Sequence, residues 1–154
     1  MVQQAEASQL RINEFLKQVP EIQNTTNAET ELKGNVTFKD VTFTYDDTNI
    51  TALKNVNFSV KAGETMAILG NTGSGKSTII ELISRLYDTK NGVVLLDDKP
   101  ITTLNLNAVR NQIGFVPQDP FLFSDTIENN IKFGKEDATE QEIINAAKNA
   151  VVHD

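Results

Sequence analysis

The chain contains no cysteine, which excludes a disulfide scaffold and any metal site built on thiolates. The same absence fits a reducing compartment. No apolar run approaches the ~18 residues of a membrane-spanning helix, so direct insertion of this segment into a bilayer is not expected. Basic residues neither dominate nor cluster: 14 Lys and Arg stand against 21 Asp and Glu, a net charge of −7. A nucleic-acid surface normally carries a basic footprint, so no nucleic-acid partner is expected. An anionic nucleotide is not excluded, because backbone N–H groups can build a positive concavity within an acidic protein. The start Met1-Val2-Gln3-Gln4-Ala5-Glu6 lacks the basic region and apolar run of a signal peptide. No repeat of solenoid length is present.

What is present is ordinary globular composition. Of 154 residues, 39% are apolar and 23% charged, enough for one domain with its own core. Ile12, Phe15, Leu16 and Val19 fall at i, i+3, i+4 and i+7, which predicts an amphipathic helix over 3–19, stopped by Pro20. Such a helix packs on its own domain or arrives from a preceding one. Residues 21–35 are polar and rich in Asn and Thr, a linker composition, so the domain start is placed near Gly34.

Beyond Gly34 the period changes to two. Val36 and Phe38 share one face, while Val41, Phe43 and Tyr45 follow with opposite parity, predicting a bulge or break across Lys39-Asp40. Val56, Phe58 and Val60 alternate again. Met66-Ala67-Ile68-Leu69 is a short continuous apolar run, read as a strand buried on both faces. Ile79, Ile80, Leu82, Ile83 and Leu86 predict a helix ending near Tyr87-Asp88. Asn91-Gly92 reads as a hairpin-type turn into Val93–Leu96, and Ile113–Val116 reads as a further strand. Helices are expected over about 125–132 and 139–152. Hairpins on either side of one strand–loop–helix unit make an α/β chain with an antiparallel annex.

The chemistry lies at Gly70-Asn71-Thr72-Gly73-Ser74-Gly75-Lys76-Ser77, which fits Gly-x-x-x-x-Gly-Lys followed by Ser or Thr. Gly70 lets the chain leave the strand in a tight turn. Gly73 and Gly75 provide backbone without Cβ, so that successive N–H groups converge on phosphates. Lys76 reaches the β- and γ-phosphates as a point charge, and Ser77 offers its hydroxyl to Mg²⁺. The helix that starts there points its positive end at the same anion. By chance the pattern arises in on the order of one chain of this length in a few hundred. Chance does not also supply the flanking strand and amphipathic helix. A phosphate-binding P-loop is therefore the reading.

Val93-Val94-Leu95-Leu96-Asp97-Asp98 imitates a Walker B segment, four apolar residues and an acid for Mg²⁺. Turn chemistry at both ends argues instead for an antiparallel strand with its acids in solvent. His153, the only histidine, is read as a surface residue.

Phe43-Thr44-Tyr45, Ala52–Phe58, Gly63-Glu64, the run 70–78, Val116–Pro120 and Leu122–Ile127 together resemble the nucleotide-binding domain of ABC transporters. The last run resembles the exporter branch, in which membrane and ATPase domains share one polypeptide. Residues 8–22 are similar to the segment leading from the last membrane helix. The resemblance implies a partial P-loop NTPase core with an antiparallel β subdomain. Its domains would be an entering helix over 1–20, a linker over 21–34, and the front part of the ATP-binding domain over 35–154. The family's Leu-Ser-Gly-Gly-Gln signature, Walker B strand, following glutamate and switch histidine are not among these residues. Asp98 stands where the family usually has glycine.

The resemblance further implies ATP and Mg²⁺ as cofactors. Gly70, Asn71, Thr72, Gly73, Ser74, Gly75, Lys76, Ser77 and Thr78 would hold the phosphates. Tyr45 would stack on adenine. Gln118 would reach Mg²⁺ and water near the γ-phosphate, so that Ser77 and Gln118 serve the metal while Lys76 and Gln118 serve catalysis. Phe121, Leu122 and Phe123 are consistent with a surface that docks a partner domain. The implied partners are the transmembrane domain of the same transporter and a second nucleotide-binding domain, with the soluble segment at the cytoplasmic face of the membrane. Two other readings stay open: a nucleotide-binding module without turnover, and a soluble ABC ATPase with no transport role.

Overall fold

Period-two patterning produces one antiparallel sheet. The computed structural model describes residues 2–152, and His153 lies outside them. Strand β1 (Val36–Thr44) pairs antiparallel with β2 (Thr51–Val60) and with β3 (Asn91–Leu96), which pairs with the short β4 (Lys99–Pro100). The order across the four-stranded sheet is β2-β1-β3-β4. The parity change in β1 is a bulge within one strand: Asp40 has φ 50°, and the register shifts between Phe38 and Val41. The bulge returns Phe38, Val41 and Phe43 to the same buried face. Phe38 also stacks on Phe58 of β2, with centroids 4.5 Å apart.

The imitation Walker B run is β3, antiparallel to both neighbours, as its turn chemistry requires. Its far end is a two-residue turn in which Asp97 and Asp98 have φ 48° and 63°, the signs of a type I′ hairpin. Its near end differs from expectation. Asn91 and Gly92 are the first residues of the strand, with Asn91 opposite Thr42, so β3 is reached by a crossover and not through a hairpin.

Helix α1 (Val2–Leu16) is followed by the 21–35 segment, which lies along the sheet unit despite its linker composition. Asn24 Oδ1 accepts from the Leu106 N–H at 2.9 Å, and Gln112 Oε1 accepts from the Leu32 N–H at 2.9 Å. Asp97 accepts from the backbone N–H groups of Lys33 and Asn35 at 2.6 and 3.0 Å and from Asn35 Nδ2 at 2.7 Å. Asp97 is thus a half-buried clamp and not a solvated acid, whereas Asp98 is exposed.

Helix α2 (Lys76–Ile83) packs Ile79 and Leu82 into the core with Phe38, Val41, Leu53 and Val94. It stops earlier than its apolar pattern suggests, because Arg85 adopts the left-handed conformation at φ 50°. The Leu86 N–H donates to the Glu81 carbonyl and the Arg85 N–H to the Leu82 carbonyl, a Schellman closure. Arginine replaces the usual glycine there, and its buried guanidinium is held by Asp88 at 3.0 Å. Helix α3 (Leu106–Asn111) was not expected; Asn105 caps it, and Leu106 and Val109 are buried.

Two expected strands are missing. Met66–Leu69 and Ile113–Val116 form no ladder among the described residues, and Leu69 and Val116 are 92% and 89% exposed. A strand buried on both faces needs hydrogen-bonded neighbours, and neither segment meets one here. The antiparallel part of the expected fold is therefore present as a sheet and the parallel part is not.

The chain divides into two compact units, one up to Phe115 and one from Val116. The second contains α4 (Ile127–Ile131), one 3₁₀ turn and α5 (Glu140–Asn149). Thr139 and Glu142 form a reciprocal capping box on α5, which buries Ile143 and Ala147.

Candidate functional site

The P-loop leaves Met66–Leu69 and ends on the first turn of α2. Gly73 and Gly75 have φ 80° and 87°, values that side chains rarely adopt. At Gly75 the need is also steric, since a Cβ would stand 2.5 Å from the Ala52 carbonyl oxygen. Gly75 is the N-cap of α2 and offers no side-chain hydrogen bond, so the first-turn N–H groups face outward without a side-chain cap. Those donors, at the positive end of an eight-residue helix, are what a phosphate requires.

Lys76 Nζ donates to the carbonyls of Gly70 and Asn71 at 2.9 and 2.8 Å. The ammonium is thereby folded across the mouth of its own loop. The Ser74 N–H closes a turn onto the Asn71 carbonyl at 3.2 Å, and Asn71, Thr72 and Gly73 form the exposed tip. Ser77 is exposed on the first turn, whereas Thr78 is buried. No group of three His, Asp or Glu side chains among the described residues could hold a metal by itself. Mg²⁺ commonly binds through one or two protein ligands together with substrate phosphates, and Ser77 fits that arrangement.

Tyr45 sits at the end of β1, and its hydroxyl meets the P-loop helix. It lies 2.9 Å from Thr78 Oγ1 and donates to Glu81 Oε2 at 3.0 Å. Phe43 and Tyr87 brace the ring in edge-type contacts, with centroids 4.9 and 5.4 Å away. Burial, with the neighbouring Glu81 carboxylate, pushes the phenol pKa up despite the opposing Thr78 hydrogen bond. A pocket of about 400 Å³ opens beside Tyr45, lined also by Phe43, Tyr87 and Asp88, and none of residues 70–78 lines it. Of the residues expected at the site, the structure thus joins Tyr45 to the 70–78 segment through α2.

Gln118 belongs to the second unit and is exposed. In that unit Asn130 organises the loop after it. Its side chain accepts from the Phe123 N–H at 2.8 Å and donates to the Phe123 and Thr126 carbonyls at 3.1 and 2.9 Å. Phe121, Leu122, Phe123 and Phe133 are exposed, with Phe123 in ring contact with the other two phenylalanines. Sequence reasoning missed Glu81, Asn130 and the Asp97 clamp. Glu81 alone left a signal, at i+3 from Thr78 on a helix face.

The loop at the start of α2 has the geometry of a nucleotide phosphate site, and comparison with known proteins gives its family. The model of the ABC transporter family matches residues 53–154. The chain is 45% identical over 150 residues to the uncharacterized ABC transporter ATP-binding protein YfiB of Bacillus subtilis. It is 41% identical over 154 residues to the multidrug resistance-like ATP-binding protein MdlA of Escherichia coli. These alignments cover 97% and 100% of this chain and 26% of each relative. The solved structure of a bacterial Atm1-family ABC exporter with ATP bound superposes with a TM-score of 0.88 at 35% identity, covering 98% of this chain and 27% of that one. The chain belongs to the ABC transporter family, and it spans about a quarter of the length of these two bacterial relatives.

Proposed function

We propose that these residues bind Mg-ATP in an ATP-driven exporter, at the cytoplasmic face of its membrane. The observation that carries the reading is the start of α2. Two left-handed glycines, a helix end without a side-chain cap and Lys76 across the loop mouth make a phosphate cradle within a family of transport ATPases. Gly70 to Thr78 would take the phosphates, Ser77 would ligand Mg²⁺ and Tyr45 would meet the adenine. Gln118 is assigned to Mg²⁺ and the water near the γ-phosphate. The bound metal would neutralise charge developing on the transferred phosphoryl group. In this unit Lys76 supplies the fixed positive charge, and the α2 N–H groups orient the phosphates.

The division of residues follows the likeness to exporters: 1–20 would be the entering helix, 21–34 the connection and 35–154 the front of the ATP-binding domain. The exposed Phe121, Leu122 and Phe123 would dock the transmembrane domain, the part of an exporter that this quarter-length chain does not include. A second nucleotide-binding domain would complete the catalytic assembly.

Titration of the intact parent with ATP tests the reading. Lys76→Ala is expected to remove most affinity. Ser77→Ala should weaken binding more with Mg²⁺ than without it, because the hydroxyl acts through the metal. Equal losses in the two conditions would take Ser77 out of the metal site.

A further inference from the structure

The hydroxyl of Tyr45 is part of a directed chain of hydrogen bonds. A carboxylate can only accept, so Glu81 takes the single phenol proton at 3.0 Å. The Tyr45 oxygen is then free to accept, and the Thr78 hydroxyl, 2.9 Å away, donates to it. The direction Thr78 to Tyr45 to Glu81 follows from the fixed polarity of its last member. Thr78 is 4% exposed, and Tyr45 and Glu81 are half-buried, so the chain lies partly out of water, where such bonds polarise one another. The raised phenol pKa keeps the proton in place at neutral pH. Phe43 and Tyr87 hold the ring edge-on from its sides, and the hydroxyl anchor ties its far end to α2.

Resting on the nucleotide-binding reading, we propose that Glu81 is a positioning residue for base recognition: it fixes the position of the Tyr45 ring relative to the P-loop helix. Glu81 lies on the same α2 helix as Lys76 and Ser77, five and four residues further on. One short rigid element therefore carries the groups that meet the phosphates and the anchor of the ring that meets the base. The arrangement also commits the Thr78 hydroxyl proton to Tyr45, so that Thr78 would serve phosphate through its backbone N–H alone. An aromatic stack contributes only when the ring is held over the base, and a phenylalanine at 45 would lack the anchor that keeps it in place. Tyr45→Phe should therefore lose affinity although its ring is retained.

The test measures dissociation constants of the intact parent for ATP and for inorganic tripolyphosphate, which has phosphates and no base. Glu81→Ala is expected to weaken ATP binding about tenfold, within the ~1–3 kcal/mol of a base–aromatic stack. Tripolyphosphate binding should stay within about twofold or tighten slightly, since a nearby negative charge has been removed. Glu81→Gln, which keeps an acceptor, should restore most ATP affinity. The double variant with Tyr45→Phe should lose no more than either single variant, as expected for two members of one chain.

Equal losses for ATP and tripolyphosphate, or additive losses in the double variant, would each overturn the proposal. A parent whose ATP binding does not depend on Lys76 would overturn the nucleotide reading itself, and the role of Glu81 with it. The tripolyphosphate arm keeps the two failures apart, because it reports the P-loop without Tyr45.

Discussion

At Gly75 the backbone has φ 87°, and a methyl group built there would stand 2.5 Å from the Ala52 carbonyl oxygen and 2.8 Å from Leu53 Cδ2. Backbone strain and overlap with a strand act together, so Gly75→Ala should cost on the order of 1–3 kcal/mol and displace the first turn of α2. Gly73 has φ 80° but open space around it, so Gly73→Ala should cost only about 1 kcal/mol. Urea denaturation of the two variants checks the order, and a larger loss at Gly73 would contradict it. Asp97 accepts bonds on both carboxylate oxygens, and Asp97→Asn places an amide donor against donors. A loss of about 1–2 kcal/mol at neutral pH is expected, with ATP turnover of the parent within a few-fold of wild type. Burial works to raise the Asp97 pKa, but the bonds from Asn35 and Lys33 outweigh it and bring it below the ordinary carboxylate value. Its stabilisation is thus present above the unfolded pKa and is lost as pH falls through the lower folded one. Stability curves of wild type and Asp97→Asn should converge in acid.

Helix α5 shows what local sequence can specify by itself. Its capping box is closed by the Glu142 N–H donating to Thr139 Oγ1 and the Thr139 N–H donating to Glu142 Oε2, and Lys135 Nζ meets Glu142 Oε1 at 2.6 Å. Lys135 and the Thr139 backbone and hydroxyl lower the Glu142 pKa from 4.5 to about 2. Thr139→Ala should destabilise the helix by about 1 kcal/mol, read as faster hydrogen exchange at residues 141–144. Protection of the wild-type helix should persist below pH 4.5 and fade as pH approaches 2, because the folded pKa is depressed. The elements written in local signals were legible: the two helices beyond residue 125, the bulge in β1, the turn after β3 and the glycines of the P-loop. Elements that depend on distant partners were not. Nothing near Arg85 announces a left-handed residue, since Asp88 and the surrounding core hold it there. The Tyr45–Glu81 bond joins residues 36 apart in sequence, beyond any periodic signal. Met66–Leu69 has a strand's composition, yet composition cannot supply a neighbour to pair with.

For the whole molecule, those unpaired segments govern behaviour in isolation. Met66 and Leu69 in one unit and Val116 in the other are exposed, and exposed apolar backbone with free hydrogen-bonding groups invites pairing between copies. Purified residues 1–154 should show an apparent mass that rises with concentration in light scattering, and Leu69→Lys should reduce the rise. Phosphate release by this chain should not exceed that of its Lys76→Ala variant. Turnover needs a metal-holding carboxylate beside the P-loop, and the one run that imitates it, Val93–Asp98, is an antiparallel strand and turn whose Asp97 is taken up by Lys33 and Asn35. Mg²⁺-dependent turnover that vanishes with Lys76→Ala would overturn this. The segment 21–35 has a different consequence for the intact protein. Its bonds to Asp97, Leu106 and Gln112 make it a strap sewn along the sheet unit. Tension applied at α1 would reach the hairpin turn at Asp97 and the start of α3 before it could be taken up as slack. A chain built this way transmits a pull as a lever does, and lengthening the polar stretch between Gln23 and Lys33 would loosen the lever only if those stitches were cut as well.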